Sequence, residues 1–294
     1  MANGSPWSNL SVVSNAPSAV RTSIVKALVR VRRNVEQANI PALTDAYQKM
    51  QARSEPDNRS WMYWSEYHGF NRNDCWHHNG VGGQQFNYDL FLPWHRAYLL
   101  YFERVAAAEN KDAILPWWDW TSPLSHQVGL PPAFTAGPAN GPLRSGPVPP
   151  ALRANPPRTT RNQLRPSALP GKAAVDNIVN NLTTFEDFSN QLQNVHDQVH
   201  GWVRGDMGQI ASSAFDPIFW SHHCMIDRLW YLWQVKHGVD NIPPSYLNRT
   251  LAPWALTVKD VLDIRRLGYS YGASRVRVPA DQFSAVALAG AQPS

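Results

Sequence analysis

The chain has 294 residues, and 43% of them are hydrophobic, which is enough for a substantial core in one large domain or two small ones. Its formal charge is +5, but the arginines are scattered and form no dense basic run, so the charge does not favour nucleic-acid binding. Two cysteines exclude a disulfide framework, and no apolar stretch is long enough to span a membrane.

We expect a single domain over residues 1–294, with its core within residues 20–275. Residues 1–16 lack the basic start and the apolar stretch of a signal peptide. We therefore expect a soluble protein, and its compartment, cytoplasmic or secreted, stays open.

Amphipathic helices are predicted at the start of the core. Apolar residues recur at helical spacing within residues 20–50, with an interruption near Asn39, which predicts two helices. Ser60 is then a suitable N-cap for a short aromatic helix, residues 61–68, which Gly69 would end. This short helix would carry a histidine on its last turn.

Two further histidines, His77 and His78, lie in a polar, glycine-containing loop at residues 70–89. Pro93 is predicted to begin the next helix, residues 93–110. Proline lacks a backbone N–H, and the first N–H groups of a helix have no partner within the helix, so a proline costs little there. His95 lies just inside this helix and continues its apolar face.

The stretch 121–172 is rich in proline and glycine and has no sustained helical or alternating pattern, so we predict a long irregular loop. Loops of this length are uncommon in compact domains. A functional cover, a mobile segment or a rigid surface loop pinned by its prolines would each account for it.

Helical order is predicted to return with a capping box formed by Thr183 and Glu186. The same helix places His196 and His200 at i and i+4, where both rings reach one side. An Asp-Pro pair opens the last predicted helix, residues 216–238, and a glycine ends it.

Four histidine-bearing helices with long connections are typical of an antiparallel four-helix bundle that holds a site in its core. The predicted class is therefore mainly α, with long irregular loops and little strand. Strand signals are limited to residues 275–278.

Eight of the ten histidines fall into two blocks, which are His68, His77, His78 and His95, and then His196, His200, His222 and His223. Two matched blocks indicate two metal ions. Neither block combines its histidines with cysteines or with a cluster of acidic residues at metal-ligand spacing. Neutral imidazole suits copper, zinc, iron or nickel rather than magnesium or calcium, and copper is the metal we favour.

Three segments of the chain resemble the type-3 dinuclear copper proteins, which are the tyrosinases, catechol oxidases and molluscan hemocyanins. The first is Phe-Leu-Pro-Trp-His-Arg-Ala-Tyr at residues 91–98, and the second is the His-x-x-x-His that begins at His196. The third is Asp-Pro-Ile-Phe-Trp-Ser-His-His at residues 216–223. The resemblance covers residues 61–271, and all three motifs stand in the family's order.

The resemblance implies two copper ions, each held by three histidines, with dioxygen as co-substrate. It assigns His68, a histidine of the loop 70–89 and His95 to the first copper. It assigns His196, His200 and His223 to the second copper and leaves His222 as a neighbour.

The loop ligand of the first copper departs from the family pattern. Family members usually place it nine residues before the third ligand, where this chain has Phe86, which cannot bind copper. An insertion that leaves His77 or His78 as ligand is the simplest explanation. We favour His77, because Cys75 then matches the Cys-x-His arrangement that forms a thioether in some fungal members. An ordinary, part-buried cysteine is the alternative for Cys75.

The activity that the resemblance implies is oxidation of small phenols and catechols to ortho-quinones. Many tyrosinases have asparagine after the first histidine of the second copper, and this chain has Asp197 there, either as a base that acts directly or as a charge that changes which phenols bind. Glu186 and Gln193 are the nearby candidates for holding a water that deprotonates a phenol. The side chains around Ser213 are mostly small, which predicts an open mouth for substrate.

Several alternatives stay open at this stage. A hemocyanin-type oxygen carrier would use the same six ligands, and an ortho-aminophenol oxidase would use the same centre. A zinc hydrolase shares the His-x-x-x-His spacing but places glutamate where this chain has Asp197. A metal-free core of histidines would bury many polar rings at high cost. The sequence also leaves open a homo-oligomer and a copper-delivery partner.

Overall fold

The computed structural model describes residues 29–70, 88–240 and 242–272. Its helices and strands in chain order are β1 Arg30–Arg32, α1 Ile40–Ala52, α2 Trp61–Ser65, α3 Tyr88–Glu109, α4 Ser125–Val128, α5 Lys172–Asn181, α6 Phe185–Val203, α7 Ile210–Ser213, α8 Pro217–His237, α9 Pro244–Leu247 and β2 Tyr269–Tyr271. The predicted class, mainly α with little strand, is confirmed. None of the helices in these ranges is long and apolar enough to cross a membrane.

The three longest helices pack against one another. Helix α3 contacts α1, α6 and α8, and α5 contacts both α6 and α8. Eight tryptophans are fully buried between these helices and their connections, and they are Trp61, Trp94, Trp118, Trp120, Trp202, Trp220, Trp230 and Trp233. Rings of this size bury the largest apolar areas of any side chain, so the tryptophan-rich segments hold the helices together.

Several helix ends follow the predicted capping residues. The Ser60 side chain accepts a hydrogen bond from the backbone N–H of Tyr63 at 3.0 Å and begins α2. The Asp216 side chain accepts from the backbone N–H of Ile218 at 3.0 Å and begins α8, which Gly238 ends with a φ of 78°. These predictions are confirmed because short polar caps act through local geometry.

The start of the core differs from its prediction. Residues 30–32 form a strand rather than a helix, and they pair in parallel with β2, with Arg30 opposite Tyr269. The helix begins only at Ile40, where the Asn39 side chain accepts from the N–H of Ala42 at 3.2 Å. A tertiary partner far along the chain therefore overrides the local spacing of apolar residues.

Two further helix starts were predicted at the wrong residue. Helix α3 begins at Tyr88, so Pro93 lies inside the helix and removes one internal hydrogen bond. The cap of α6 is Thr184, which accepts from the N–H of Asp187 at 3.2 Å, instead of the predicted pair one residue earlier. The predicted strand at residues 275–278 lies outside the described residues.

Helix α5 was not predicted at all. Its N-cap is Gly171, which has no side chain to cap the helix, so the sequence carries no start signal there. It contacts α6 and α8 through Val175, Ile178 and Val179, which are buried. Packing of this apolar face rather than capping stabilises the helix.

The long loop 121–172 packs onto the helices that follow it. Apart from α4 and two short 3-10 segments it is irregular, as predicted. Arg161 pairs with Asp216 at 2.6 Å, and both Arg153 guanidinium ends lie 3.1 Å from the Asp206 carboxylate. Phe134, Leu143 and Val148 of the loop itself are buried. These contacts favour the reading of a pinned surface loop.

A buried ion network joins α3, α8 and the two strands. The Asp227 carboxylate on α8 accepts hydrogen bonds from Arg96 of α3 and, at 3.2 Å, from Arg32 of β1. The hydroxyl of Tyr269 donates to it at 2.7 Å, and that of Tyr271 also donates. Burial alone would raise the pKa of Asp227, but Arg96 and Arg32 outweigh it and hold that pKa below its usual value.

We expect Asp227→Ala to lower the free energy of unfolding by about 3–5 kcal/mol, because it leaves two buried guanidinium groups without their shared carboxylate. Asp176→Ala is the matched control, since Asp176 forms an exposed i,i+4 pair with Lys172 and should change stability by less than about 0.5 kcal/mol. Urea unfolding followed by tryptophan fluorescence measures both. Equal losses in the two variants would contradict the expectation.

Candidate metal centre

Histidines from four segments meet in one buried region. His95 comes from α3, His196 and His200 from α6, and His223 from α8. His68 follows α2 in a tight turn that Gly69 ends with a φ of 78°, so it lies beyond the helix that was predicted to carry it. The structure thus brings together five of the predicted metal ligands.

Most of these rings are held through the Nδ1 atom. Nδ1 of His95 lies 2.8 Å from the Phe91 carbonyl oxygen, and Nδ1 of His200 lies 2.6 Å from that of Met207. A backbone carbonyl only accepts, so each of these nitrogens carries the proton and donates it. The proton on Nδ1 leaves Nε2 with a lone pair for a metal.

His68 and His196 are held in the same way by other acceptors. Nδ1 of His68 lies 3.2 Å from the Ile210 carbonyl oxygen and 3.1 Å from the Ser213 hydroxyl. Nδ1 of His196 lies 3.0 Å from a carboxylate oxygen of Asp197. Both rings therefore also direct Nε2 away from the anchoring group.

The three ligands assigned to the second copper converge on one point. Nε2 of His223 lies 3.2 Å from Nε2 of His196 and 3.3 Å from Nε2 of His200. A metal with tetrahedral ligands at about 2.0 Å separates those nitrogens by about 3.3 Å. The spacing of the donor atoms therefore fits a single ion bound by neutral imidazole.

A second group lies directly beside the first. His68, His95 and His223 bring one nitrogen each within 4.8 Å of one another, and the His95 and His223 rings stack at 4.4 Å. His223 thus borders both groups, as two adjacent metal positions require. The other predicted ligands of this position, His77 and His78, and the predicted thioether residue, Cys75, lie outside the described residues.

His222 is a close neighbour of the second group. Its ring is fully buried, stacks on His196 at 5.1 Å and meets His200 edge-on at 4.9 Å. One of its nitrogens also falls within 4.8 Å of the donor atoms of His196, His200 and His223. Of the adjacent residues His222 and His223, His223 belongs to both groups, whereas His222 belongs to the second group alone.

Burial keeps the His68, His95 and His223 rings neutral. It lowers the pKa of His95 to about 3. Burial first, and then the neighbouring His95 ring, lowers the pKa values of His68 and His223 well below the usual value. Neutral imidazole is the form that binds metal, so the site is prepared for metal at neutral pH.

The cluster opens to solvent through a mouth with a cavity of about 210 Å³. Its lining residues are His68, His196, Asp197, His200, Gly201, Met207, Gly208, Ile210 and Ser213. Ile210 is 41% exposed and is the large side chain at this opening. Ser213, the residue predicted to control access, also lines the mouth, where it is 1% exposed and contacts His68.

The two predicted acidic residues lie in different places. Asp197 lines the mouth, with its side chain 43% exposed and hydrogen-bonded to His196. Glu186 is exposed in the first turn of α6, about 15 Å along the helix axis from His196. The structure therefore does not bring Glu186 to the cluster, and the role assigned to it is not supported. Gln193 is buried on α6, one turn before His196.

Several residues that shape the site were missed by the sequence analysis. The carbonyl groups of Phe91, Met207 and Ile210 anchor three of the rings, yet every residue has a carbonyl, so no sequence signal marks them. Phe219 packs against His223 at 4.1 Å and against His68 at 4.7 Å. Its place one turn before His223 was the available signal.

We expect the metal-free protein to lose stability as the pH falls from about 6.5 towards 3. The histidines of the unfolded chain bind protons near their ordinary pKa, whereas those of the folded cluster bind them only near their lowered pKa values. The free energy of unfolding therefore decreases as the pH falls through this window. Thermal unfolding between pH 7.5 and 4.5 measures the slope. A His126→Gln control should keep it, since His126 lies outside the cluster, and a flat profile would contradict the assignment.

Comparison with known proteins supports a family assignment. The family model described as the common central domain of tyrosinase matches residues 58–236. The tyrosinase of Streptomyces lincolnensis is 33% identical over 198 residues, which are 56% of this chain and 72% of that protein. Grixazone synthase of Streptomyces griseus is 30% identical over 244 residues, 62% of this chain and 79% of that protein.

Solved structures share the fold. A functional unit of octopus hemocyanin matches with a TM-score of 0.68 at 24% identity and covers 83% of this chain and 68% of that chain. The tyrosinase of Burkholderia thailandensis matches with a TM-score of 0.66 at 21% identity, over 84% of this chain and 74% of that chain. Because the family model spans both histidine blocks of the sequence, the chain belongs to the tyrosinase family of dinuclear copper oxidoreductases.

Proposed function

We propose that this chain oxidises small phenols, and catechols above all, to ortho-quinones with dioxygen and two bound copper ions. The single observation that carries the proposal is the mouth beside His68, His196 and His200, which gives a small molecule access to the donor atoms. An oxygen carrier has no need for such an opening. A cavity of about 210 Å³ is smaller than the usual range for drug-sized ligands, which favours a single-ring substrate.

His196, His200 and His223 would hold one copper, and His68, His95 and a histidine of the loop 70–89 would hold the other. We retain His77 as that loop ligand, with His78 as the alternative, and a Cys75 thioether as a further part of the proposal. The fit of the donor set to copper rests on neutral imidazole, which binds copper in both of its common oxidation states. When bound, the copper pair supplies the transfer of two electrons from each catechol to dioxygen, so two catechols yield two quinones and two waters.

The protein's own part is to orient the ring and to move a proton. Asp197 lines the mouth beside the ligand His196, and this position supports a role for its carboxylate as the acceptor of a substrate hydroxyl proton. The Ser213 hydroxyl orients the His68 ring through its contact with Nδ1. Ile210 limits the size of the group that enters.

The proposal is tested by loading the protein with copper, exposing it to oxygen and assaying phenol, catechol and ortho-aminophenol side by side. We expect quinone from catechol at the highest rate. Hydroxylation of phenol as well would make the protein a tyrosinase in the narrow sense, and faster turnover of ortho-aminophenol would make it an ortho-aminophenol oxidase. Reversible oxygen binding with no turnover of any of the three would contradict the proposal and indicate an oxygen carrier.

Asp197→Asn tests the carboxylate at the mouth. An exposed charge contributes about 0.2–1 kcal/mol, so removing it should lower the kcat/KM ratio of dopamine, a cationic catechol, to 3,4-dihydroxyphenylacetate, an anionic one, by roughly two- to fivefold. Glu186→Gln is the matched control, because it removes an acid from the same helix but away from the mouth. An unchanged ratio in Asp197→Asn would remove the carboxylate from the proposed substrate contacts.

A further inference from the structure

A second, larger cavity lies outside the metal centre, between α2, α3 and the segment that follows α9. Its volume is about 570 Å³, within the usual range for small-molecule sites. Its described lining residues are Asn58, Arg59, Tyr63, Trp64, Tyr67, Tyr101, Arg104, Val105, Ala108 and Trp254, and we name this set the aromatic cleft. It shares no lining residue with the mouth of the metal centre.

Half of the cleft's described lining is aromatic. Tyr101 and Trp254 are nearly parallel at 5.3 Å and 22°, and Trp64 is nearly parallel to Tyr101 at 6.3 Å and 15°. The Tyr67 hydroxyl donates to that of Tyr63 at 3.1 Å, so this wall also offers polar groups. Flat rings in roughly parallel planes favour a ligand that is itself a flat ring.

The charge of the cleft is positive. Arg59 and Arg104 contribute guanidinium groups, and no aspartate or glutamate is among the described lining residues. Arg59 is held at the exposed rim by Asp57 at 3.1 Å. Arg104 is half-buried and lies 5.6 Å from the centre of the Tyr101 ring.

Arg104 is the stronger of the two anion-binding groups. Burial lowers its pKa, and Tyr101 and Glu103 partly offset this, but a guanidinium stays charged at any physiological pH. A cation that has already lost part of its water gains more from an anion than an exposed one does. Its planar donor fork also matches a carboxylate.

We infer that the aromatic cleft binds an aromatic carboxylate of one or two rings, with the ring against Tyr101 and Trp254 and the carboxylate on Arg104 and Arg59. The stacked rings select flatness, and the two guanidinium groups select negative charge. The mouth of the metal centre offers no such group, because its lining contains Asp197 and no arginine or lysine among the described residues. Recognition of a carboxylate by guanidinium groups is therefore specific to the aromatic cleft.

The inference is tested by binding rather than turnover, so its failure is separate from failure of the proposed function. The probe is 4-fluorocinnamate, with the neutral 4-fluorocinnamamide as its isostere, and fluorine NMR of the copper-loaded protein gives both dissociation constants. We expect the carboxylate to bind the wild type about tenfold or more tightly than the amide, as for one charge-assisted hydrogen bond.

Arg104→Gln should weaken the carboxylate about tenfold and leave the amide unchanged. Arg59→Gln should weaken binding of the carboxylate about twofold. Arg59 lies at the exposed rim, so this substitution should leave the fold intact. Arg249→Gln is the matched control, since Arg249 also lies over a tyrosine ring, Tyr246 at 5.9 Å, but outside the cleft.

Ile210→Trp changes the lining of the mouth and not that of the cleft. It should therefore leave the dissociation constants of both the acid and the amide unchanged if the probe occupies the cleft. Equal affinity of the wild type for acid and amide would overturn the inference. Retention of affinity in both Arg104→Gln and Arg59→Gln, or its loss in Ile210→Trp, would overturn it as well.

Discussion

The whole site depends on histidine rings that are fixed at one nitrogen so that the other is available to a metal. Carbonyl oxygens of Phe91, Met207 and Ile210 and the Asp197 carboxylate take the Nδ1 side. Burial of the His68, His95 and His223 rings disfavours their protonation and holds the pKa of His95 near 3. A single loose ring would leave a buried polar group without its partner and a metal without a ligand.

The same constraint explains why core and site coincide. The rings of His95 and His223 stack only if α3 and α8 keep a fixed register, and the buried Asp227 with Arg96 joins those two helices just beyond the histidines. Phe219 fills the space under His68 and His223. Packing energy and ligand geometry are therefore supplied by neighbouring residues on the same helices.

Much of this arrangement could be predicted from local signals. Ser60, Asp216 and Gly238 mark helix ends through short-range geometry, and the i,i+4 pair His196 and His200 fixes its own face of α6. The motifs of the tyrosinase family predicted which histidines bind metal, and five of these lie together in the structure. The choice between His77 and His78 stays a prediction, because both lie outside the described residues.

The features that escaped prediction depend on contacts between distant segments. Strand β1 exists only because residues 269–271 lie beside it, and α5 is held by its apolar face rather than by a cap. Glu186 seemed near His196 in sequence, but ten residues of helix separate them by about 15 Å. Ile210 is the exposed apolar side chain of the mouth, whereas Ser213, which also lines it, contacts His68.

Anchoring of metal ligands by main-chain oxygens has a consequence for how such a protein can change. The side chains of Met207 and Ile210 line the entrance, while their carbonyls orient His200 and His68. Replacing either side chain alters the shape offered to incoming molecules and leaves the orienting atom in place. Substrate range can thus diversify at these positions by mutation, in nature or in a directed-evolution library, without dismantling the redox machinery.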